Sequence, residues 1–167
     1  LSSQTPPSSL FPPELAKLLG HAPLPAGHGI SGYFPDPNPE ARAYAGCGFA
    51  ITRASGTETH VAFRAAKVTP TKAGLFVTLW RRDAEGVTRP YTADDGVDEF
   101  WIAAETKHGY GCFKFPAREL AKSGVLTTSK KPGKRGFRLY TPWDTDLNAS
   151  ATKVWAWQSG FFTVLSR

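Results

Sequence analysis

The sequence predicts an α/β fold of the α+β kind: a single domain with a central mixed β-sheet flanked by helices. Short segments of strand and helix character follow one another without the strict alternation that builds a parallel sheet. A length of 167 residues suits one domain with a real core, and 41% hydrophobic against 20% charged residues is a globular composition. No segment repeats at a fixed period, which sets aside solenoids and propellers.

Residues 1–13, rich in Ser, Pro and Thr, read as a flexible arm ahead of a domain over 14–167. Pro12-Pro13-Glu14 opens a short helix over 14–19, stopped by Gly20. Crowded Pro and Gly make 21–39 an irregular loop. Asn38 is an N-cap with proline behind it, so a helix runs over 39–45. A strand follows over 46–53, then a turn at Ser55-Gly56-Thr57. The next strand, over 60–68, puts Val61, Phe63 and Ala65 on one face and Arg64 on the other. After a loop over 69–74, a strand over 75–82 is apolar enough for burial on both faces. A polar connection over 83–95 leads to strands over 100–105 and 111–115, with a hairpin turn at His108-Gly109. A helix over 116–122 is closed by Ser123-Gly124. A cationic loop over 127–136 and a strand over 137–140 come next. The final helix is capped by Asn148 or Ser150 and reaches Leu165, with Val154, Trp157, Phe161 and Leu165 as its apolar stripe.

Lys and Arg number 20 against 14 Asp and Glu, a net charge of +6, which favours polyanionic partners such as nucleic acid or an anionic membrane surface. The excess is concentrated. Lys114, Arg118, Lys122, Lys130, Lys131, Lys134, Arg135 and Arg138 share their stretch with one acid, Glu119. Gly133 and Gly136 lie among them, and glycine lets backbone N–H groups approach a phosphate closely. Tyr140 and Trp143 follow, and cations beside rings suit a single strand, whose phosphates take charge and whose bases take a flat face. The structural alternative is a solvated basic loop beside a core tryptophan. A second cluster is Arg64, Lys67, Lys72, Arg81 and Arg82. Arg64 and Lys67, on opposite faces of one strand, cannot form one patch. A cation buried mid-strand needs a partner, so each is a cleft candidate, with an ion pair to Glu105 or Asp98 as the structural alternative.

Catalytic patterns find little support. His21, His28, His60 and His108 lack zinc-site spacing, Gly133-Lys134 lacks the upstream glycine of a phosphate-binding loop, and no nucleophile elbow is present. Cys47 and Cys112 form no disulfide framework and read as small buried thiols. Asp94, Asp95, Asp98 and Glu99 read as a capped turn in preference to a cation site. With no secretory leader pattern and no run of about 18 apolar residues, a cytoplasmic protein without a membrane span is expected.

Several blocks carry a family resemblance: the run 63–74, Phe76-Val77-Thr78-Leu79-Trp80-Arg81-Arg82, Phe113-Lys114-Phe115-Pro116, the run 133–140, Pro142-Trp143-Asp144, Trp157-Gln158 and Phe161-Phe162. Over about residues 40–165 the chain resembles the MepB family. The resemblance implies a fold like the PD-(D/E)XK (restriction-endonuclease-like) nucleases. It also implies binding of DNA and RNA, single strands and RNA favoured, without the nuclease carboxylates. In such nucleases an Asp on one strand and a Glu two residues before a Lys on the next hold a divalent metal. If Lys67 is that lysine, the Glu position is Ala65, and the strand over 46–53 has no acid. Glu40 alone stands nearby, and one carboxylate makes a poor magnesium site.

Three readings follow. The first is a nucleic-acid-binding module without catalysis or cofactor. Lys72, Lys114, Lys130, Lys131, Lys134, Arg135 and Arg138 would contact phosphate, Tyr140 and Trp143 would stack, and Arg64, Lys67 and Glu40 would line the cleft. The second is a nuclease using Mg2+ or Mn2+, its missing acid moved to Asp98 or Glu105. The third is a small-molecule-binding accessory protein in drug response, with an aromatic pocket near Trp80 and Trp101.

Overall fold

The structure, a computed structural model, describes residues 10–167. Helix α1 (Pro13–His21) and strand β1 (Gly29–Pro35) lead to a 3-10 helix (Pro39–Tyr44), β2 (Cys47–Thr52) and β3 (Glu58–Ala65). Four short strands follow, β4 (Lys67–Val68), β5 (Leu75–Thr78), β6 (Trp80–Arg82) and β7 (Thr88–Pro90). The long hairpin of β8 (Glu99–Thr106) and β9 (Gly109–Pro116) precedes helix α2 (Ala117–Lys122), β10 (Gly136–Leu139), helix α3 (Ala149–Gln158) and β11 (Phe162–Ser166).

The central sheet runs β1-β2-β3-β8-β9-β11. It is mixed, as predicted, because β3 and β8 are parallel while the other neighbours are antiparallel. Period-two alternation splits its side chains between two cores. One face sends Phe49, Val61, Phe63, Trp101 and Cys112 against Leu15 and Leu18 of α1. The other sends Phe100, Ile102, Phe113 and Phe115 against Leu120 of α2 and a small sheet ordered β10-β5-β4. One helix, α1, thus covers one face, while α2, α3 and a second sheet cover the other. The protein is a single mixed α+β domain. Among the described residues, no helix is long and apolar enough to cross a membrane.

Several elements differ from the sequence expectation, each for a tertiary reason. Of the expected arm over 1–13, residues 1–9 lie outside the described residues. Phe11 is buried edge-on to Tyr33, and α1 begins at Pro13 and passes through Gly20. The loop expected over 21–39 contains β1, an edge strand whose pairing shifts register between Ser31 and Phe34, so its period-two signal is broken. The strand expected over 60–68 is two: Arg64 stays in the large sheet while Lys67 pairs with Phe76 in the small one. The strand over 75–82 breaks at Leu79, whose N–H goes to the Arg135 carbonyl. Its first half buries Leu75 and Val77 on one face only. The 83–95 connection contains β7, which pairs with β6 as a ribbon. The hairpin turn is Lys107-His108, since Gly109 already pairs with Thr106. The final helix, capped by Asn148, ends at Gln158, and Phe162 and Leu165 belong to β11 on the edge of β9.

Candidate nucleic-acid interface

The 69–74 loop joins β4 to β5 and carries Lys72 at its exposed tip. Arg138 on β10 holds this loop: its Nε donates to the Ala73 carbonyl at 3.1 Å, and its Nη2 to Thr69 Oγ1 at 2.6 Å and Ala73 O at 2.8 Å. Gly74 closes the loop at φ +81°, and a Cβ there would lie 2.5 Å from the Leu139 carbonyl and 2.8 Å from the Tyr140 ring. Two open clefts flank the loop and share Lys72 and Ala73. One, about 490 Å³, also takes Arg138, Tyr140 and the start of α3. The other, about 630 Å³, takes Lys107, His108 and Trp143.

Deeper contacts fix these side chains. Gln158 of α3 is fully buried. Its Oε1 accepts the Tyr140 N–H and its Nε2 donates to the Arg138 carbonyl, both at 2.9 Å, so α3 is tied to the strand end. The Asp144 carboxylate accepts the Thr141 N–H at 2.6 Å and shapes the turn that presents Trp143. Trp143 lies edge-on to Phe162 and over Gly109, where a Cβ would approach its ring to 2.5 Å. It is half-buried, so a remaining ring surface faces the cleft. Tyr140 is 9% exposed and packs on Gly74, so it is a wall and not the open stacking face the sequence predicts.

The predicted cations do not meet in one groove. Lys72 and Arg138 meet at one end of the small sheet, together with His108, which the sequence reading treats only as a turn residue, and Lys107, which it does not single out. Lys134 and Arg135 lead into the other end, where Gly136 pairs with Thr78, while Lys131, next to Lys130 in the preceding loop, lays its side chain against Gly124. The glycines there serve packing. Gly133 donates its N–H to Thr127 Oγ1 at 2.8 Å, and a Cβ would lie 2.3 Å from the Val125 carbonyl. Arg135 reaches the Thr88 carbonyl of the β6–β7 ribbon. Lys114 is on the α1 face of the large sheet, its Nζ 4.0 Å from the Trp101 ring centroid. Trp101 is buried there beside Phe49, while Trp80 faces Asn38, so the predicted shared aromatic pocket does not form.

The three cleft candidates surround the 39–44 helix, each with its own partner. Arg64 is 1% exposed. Its Nη2 donates to Asp36 Oδ2 at 2.7 Å and to the Tyr91 hydroxyl at 3.3 Å, and its Nη1 to the Phe63 carbonyl at 2.8 Å. Its partner is therefore Asp36, the residue just after the unpredicted strand β1, and neither Glu105 nor Asp98. Glu40 takes Arg82 in a two-oxygen contact at 3.0 and 3.2 Å. Lys67 lies over the Tyr44 ring at 4.7 Å.

The donor set does not fit a divalent metal. Asp98 accepts the His60 N–H, Glu105 pairs with Lys17 of α1, and Asp36 is occupied by Arg64. Among the described residues no three His, Cys, Asp or Glu side chains are grouped to hold an ion. The acidic stretch is a turn, as predicted: Asp95 accepts the Thr92 N–H and grips Arg89 with both oxygens. Burial raises the Asp95 pKa, but the Arg89 and Thr92 hydrogen bonds outweigh it and leave the carboxyl below its usual value. Cys47 and Cys112 are buried thiols, each pushed up to about 12 mainly by burial.

Comparison with known proteins agrees with this architecture. No curated protein matches the chain. A solved crystal structure of MepB superposes with a TM-score of 0.73 at 27% identity, covering 92% of this chain and 97% of that one. The MepB-like family model matches residues 38–164. The chain therefore belongs to the MepB-like family.

Proposed function

We propose that the protein binds nucleic acid through the face around the 69–74 loop, favouring RNA and single-stranded DNA over duplex, and does not cut it. The observation that carries this reading is the meeting of Lys72, Lys107 and the Arg138-stapled loop with the Trp143 ring in two adjoining clefts. Phosphates need cations in reach, and a base needs a flat partner. Arg138 and Tyr140 shape the site, and Lys72 and Lys107 supply mobile charge. Lys130, Lys131, Lys134 and Arg135 extend the cationic surface along the small sheet. Open clefts accept a flexible strand whose bases turn inward, which a stacked duplex does not offer. The poor metal donor set favours binding without hydrolysis, and a cytoplasmic location suits such a partner.

Oligonucleotide affinity measured against salt tests this. Affinity should fall linearly on a log–log plot, and Lys72→Gln with Lys107→Gln should flatten the slope by about 1.4, at ~0.7 per single-strand phosphate contact. A salt-independent affinity rejects the reading. Incubating single strands with Mg2+ or Mn2+ should leave them intact. Cleavage that disappears in Lys67→Ala would overturn the non-catalytic part.

A further inference from the structure

A separate cleft of about 770 Å³ opens between the β1–β2–β3 end of the large sheet and the β6–β7 ribbon. It shares no lining residue with the clefts around Lys72. Its floor is Gly48, Ala50 and Ala62, neighbours on β2 and β3 with Gly48 paired to Ala62. Between the Phe34 ring, which lies over Gly48, and His60, which pairs with Ala50, no floor side chain extends beyond a methyl group, so the surface left between the two rings is flat. Gly48 cannot carry even that methyl, because a Cβ would lie 2.4 Å from the Phe34 ring. Phe34 itself is 55% exposed, a large ring left at the edge of the cleft. The opposite wall holds Tyr91, with the Arg81 guanidinium 5.6 Å from its ring centroid.

The polar groups define the occupant. Asp36 and Asp95 both line the cleft, with side chains 12% and 10% exposed. Asp36 is balanced by Arg64, and Asp95 by Arg89 with Arg81 at 3.7 Å. Of the about four hydrogen bonds a carboxylate accepts, Asp95 already takes those of Arg89 and the Thr92 N–H, whereas Asp36 takes only Arg64 and the Asn38 N–H and retains capacity toward the cleft. Arg82 is balanced by Glu40. Glu58 and Asp83 also line it, with His60 beside Glu58, so the cleft carries no cationic excess in an otherwise cationic protein, and a polyphosphate gains nothing from it. Flat floor, aromatic edge, guanidinium plane and carboxylate acceptors together fit a planar uncharged heterocycle that donates N–H bonds.

We propose that this cleft is a nucleobase pocket, selective for a base with an exocyclic amine. The base comes either from a free nucleoside or from a nucleotide turned out of a strand. The inference does not depend on phosphate contacts at Lys72.

Titrating adenosine, cytidine and uridine into the full chain, followed by ligand-observed and amide-shift NMR, tests it. Adenosine and cytidine should bind and perturb amides of residues 48–50 and 95–97, with uridine, which lacks the amine, weaker. Phe34→Ala should weaken binding about tenfold, the loss expected for one stacking ring. Ala50→Leu should abolish it by filling the floor. If Ala50→Leu fails to fold, the exposed Phe34→Ala carries the test. No nucleoside binding at millimolar concentration, or binding indifferent to Phe34→Ala, overturns the proposal. Where Phe34→Ala also weakens an oligonucleotide, the base comes from a strand; where it weakens nucleosides alone, the ligand is free. Nucleoside binding that survives without any oligonucleotide binding leaves the pocket standing and removes the function proposed at Lys72.

Discussion

Arg64 is a clear case of a residue whose type was informative and whose role was not. A guanidinium amid Val61, Ala62 and Phe63 must have a partner, and the sequence marks that need. It does not reveal Asp36, 28 residues earlier, because β1 is hidden by glycines, prolines and a register shift. Arg64→Ala should destabilise the protein by about 3 kcal/mol in urea denaturation, since it leaves Asp36 without its counter-charge in a partly buried site. Adding Asp36→Ala should recover part of that loss, and a loss without recovery would mean that Arg64 acts by packing alone. The buried thiols give a pH prediction. Cys47 and Cys112 stay neutral in the folded protein up to about 12, while an unfolded thiol ionises near 9. Above pH 9 the unfolded chain binds fewer protons than the native one, so stability is intact below pH 9 and falls as pH rises toward 12. The urea midpoint should decline between pH 9 and 11, and iodoacetamide at pH 8 should label the thiols only after unfolding.

The C-terminal segment shows how tertiary demand redirects local signals. Val154, Trp157, Phe161 and Leu165 are spaced for one helical stripe, yet the helix stops at Gln158. The following Phe162-Thr163-Val164 run has aromatic and β-branched strand character, and the open edge of β9 offers it backbone hydrogen bonds that solvent would otherwise supply. Gly111 makes the docking close, since a Cβ there would lie 2.3 Å from the Phe162 ring. Ending the helix at Gln158 puts its amide against the backbone of Arg138 and Tyr140. Gln158→Ala should strand a buried N–H and a carbonyl, costing about 2–3 kcal/mol by thermal or chemical unfolding. It should also loosen the Lys72 clefts and weaken oligonucleotide binding. Unchanged stability would show that water replaces the amide.

Across the molecule, charge divides into separate groups. Lys114 sits on the α1 side with Trp101, away from the small sheet that carries the other predicted contacts. Lys114→Gln should therefore leave oligonucleotide affinity unchanged, whereas neutralising Lys130, Lys131, Lys134 and Arg135 together should weaken binding and lower the salt slope. Equal losses from both variants would indicate diffuse surface attraction in place of a defined path. The cleft beside the β6–β7 ribbon is invisible to any count of charge, because its acids and bases come from the segment after β1, the 3-10 helix, β3, β6, β7 and the turn before β8, and offset one another only when these meet.

By itself the sequence determined the mixed sheet, most of its strands, the α2 and α3 starts and the concentration of cations after Lys114. These are local or compositional properties: period-two alternation, caps and charge runs are written in neighbouring residues. Tertiary structure alone decided β1, the splitting of two predicted strands between sheets, the end of α3, the partner of Arg64 and the grouping of Lys72 with Lys107 and Trp143. Each of those depends on backbone hydrogen bonds or ion pairs between segments distant in the chain. Their free energy exists only once the segments have been brought together.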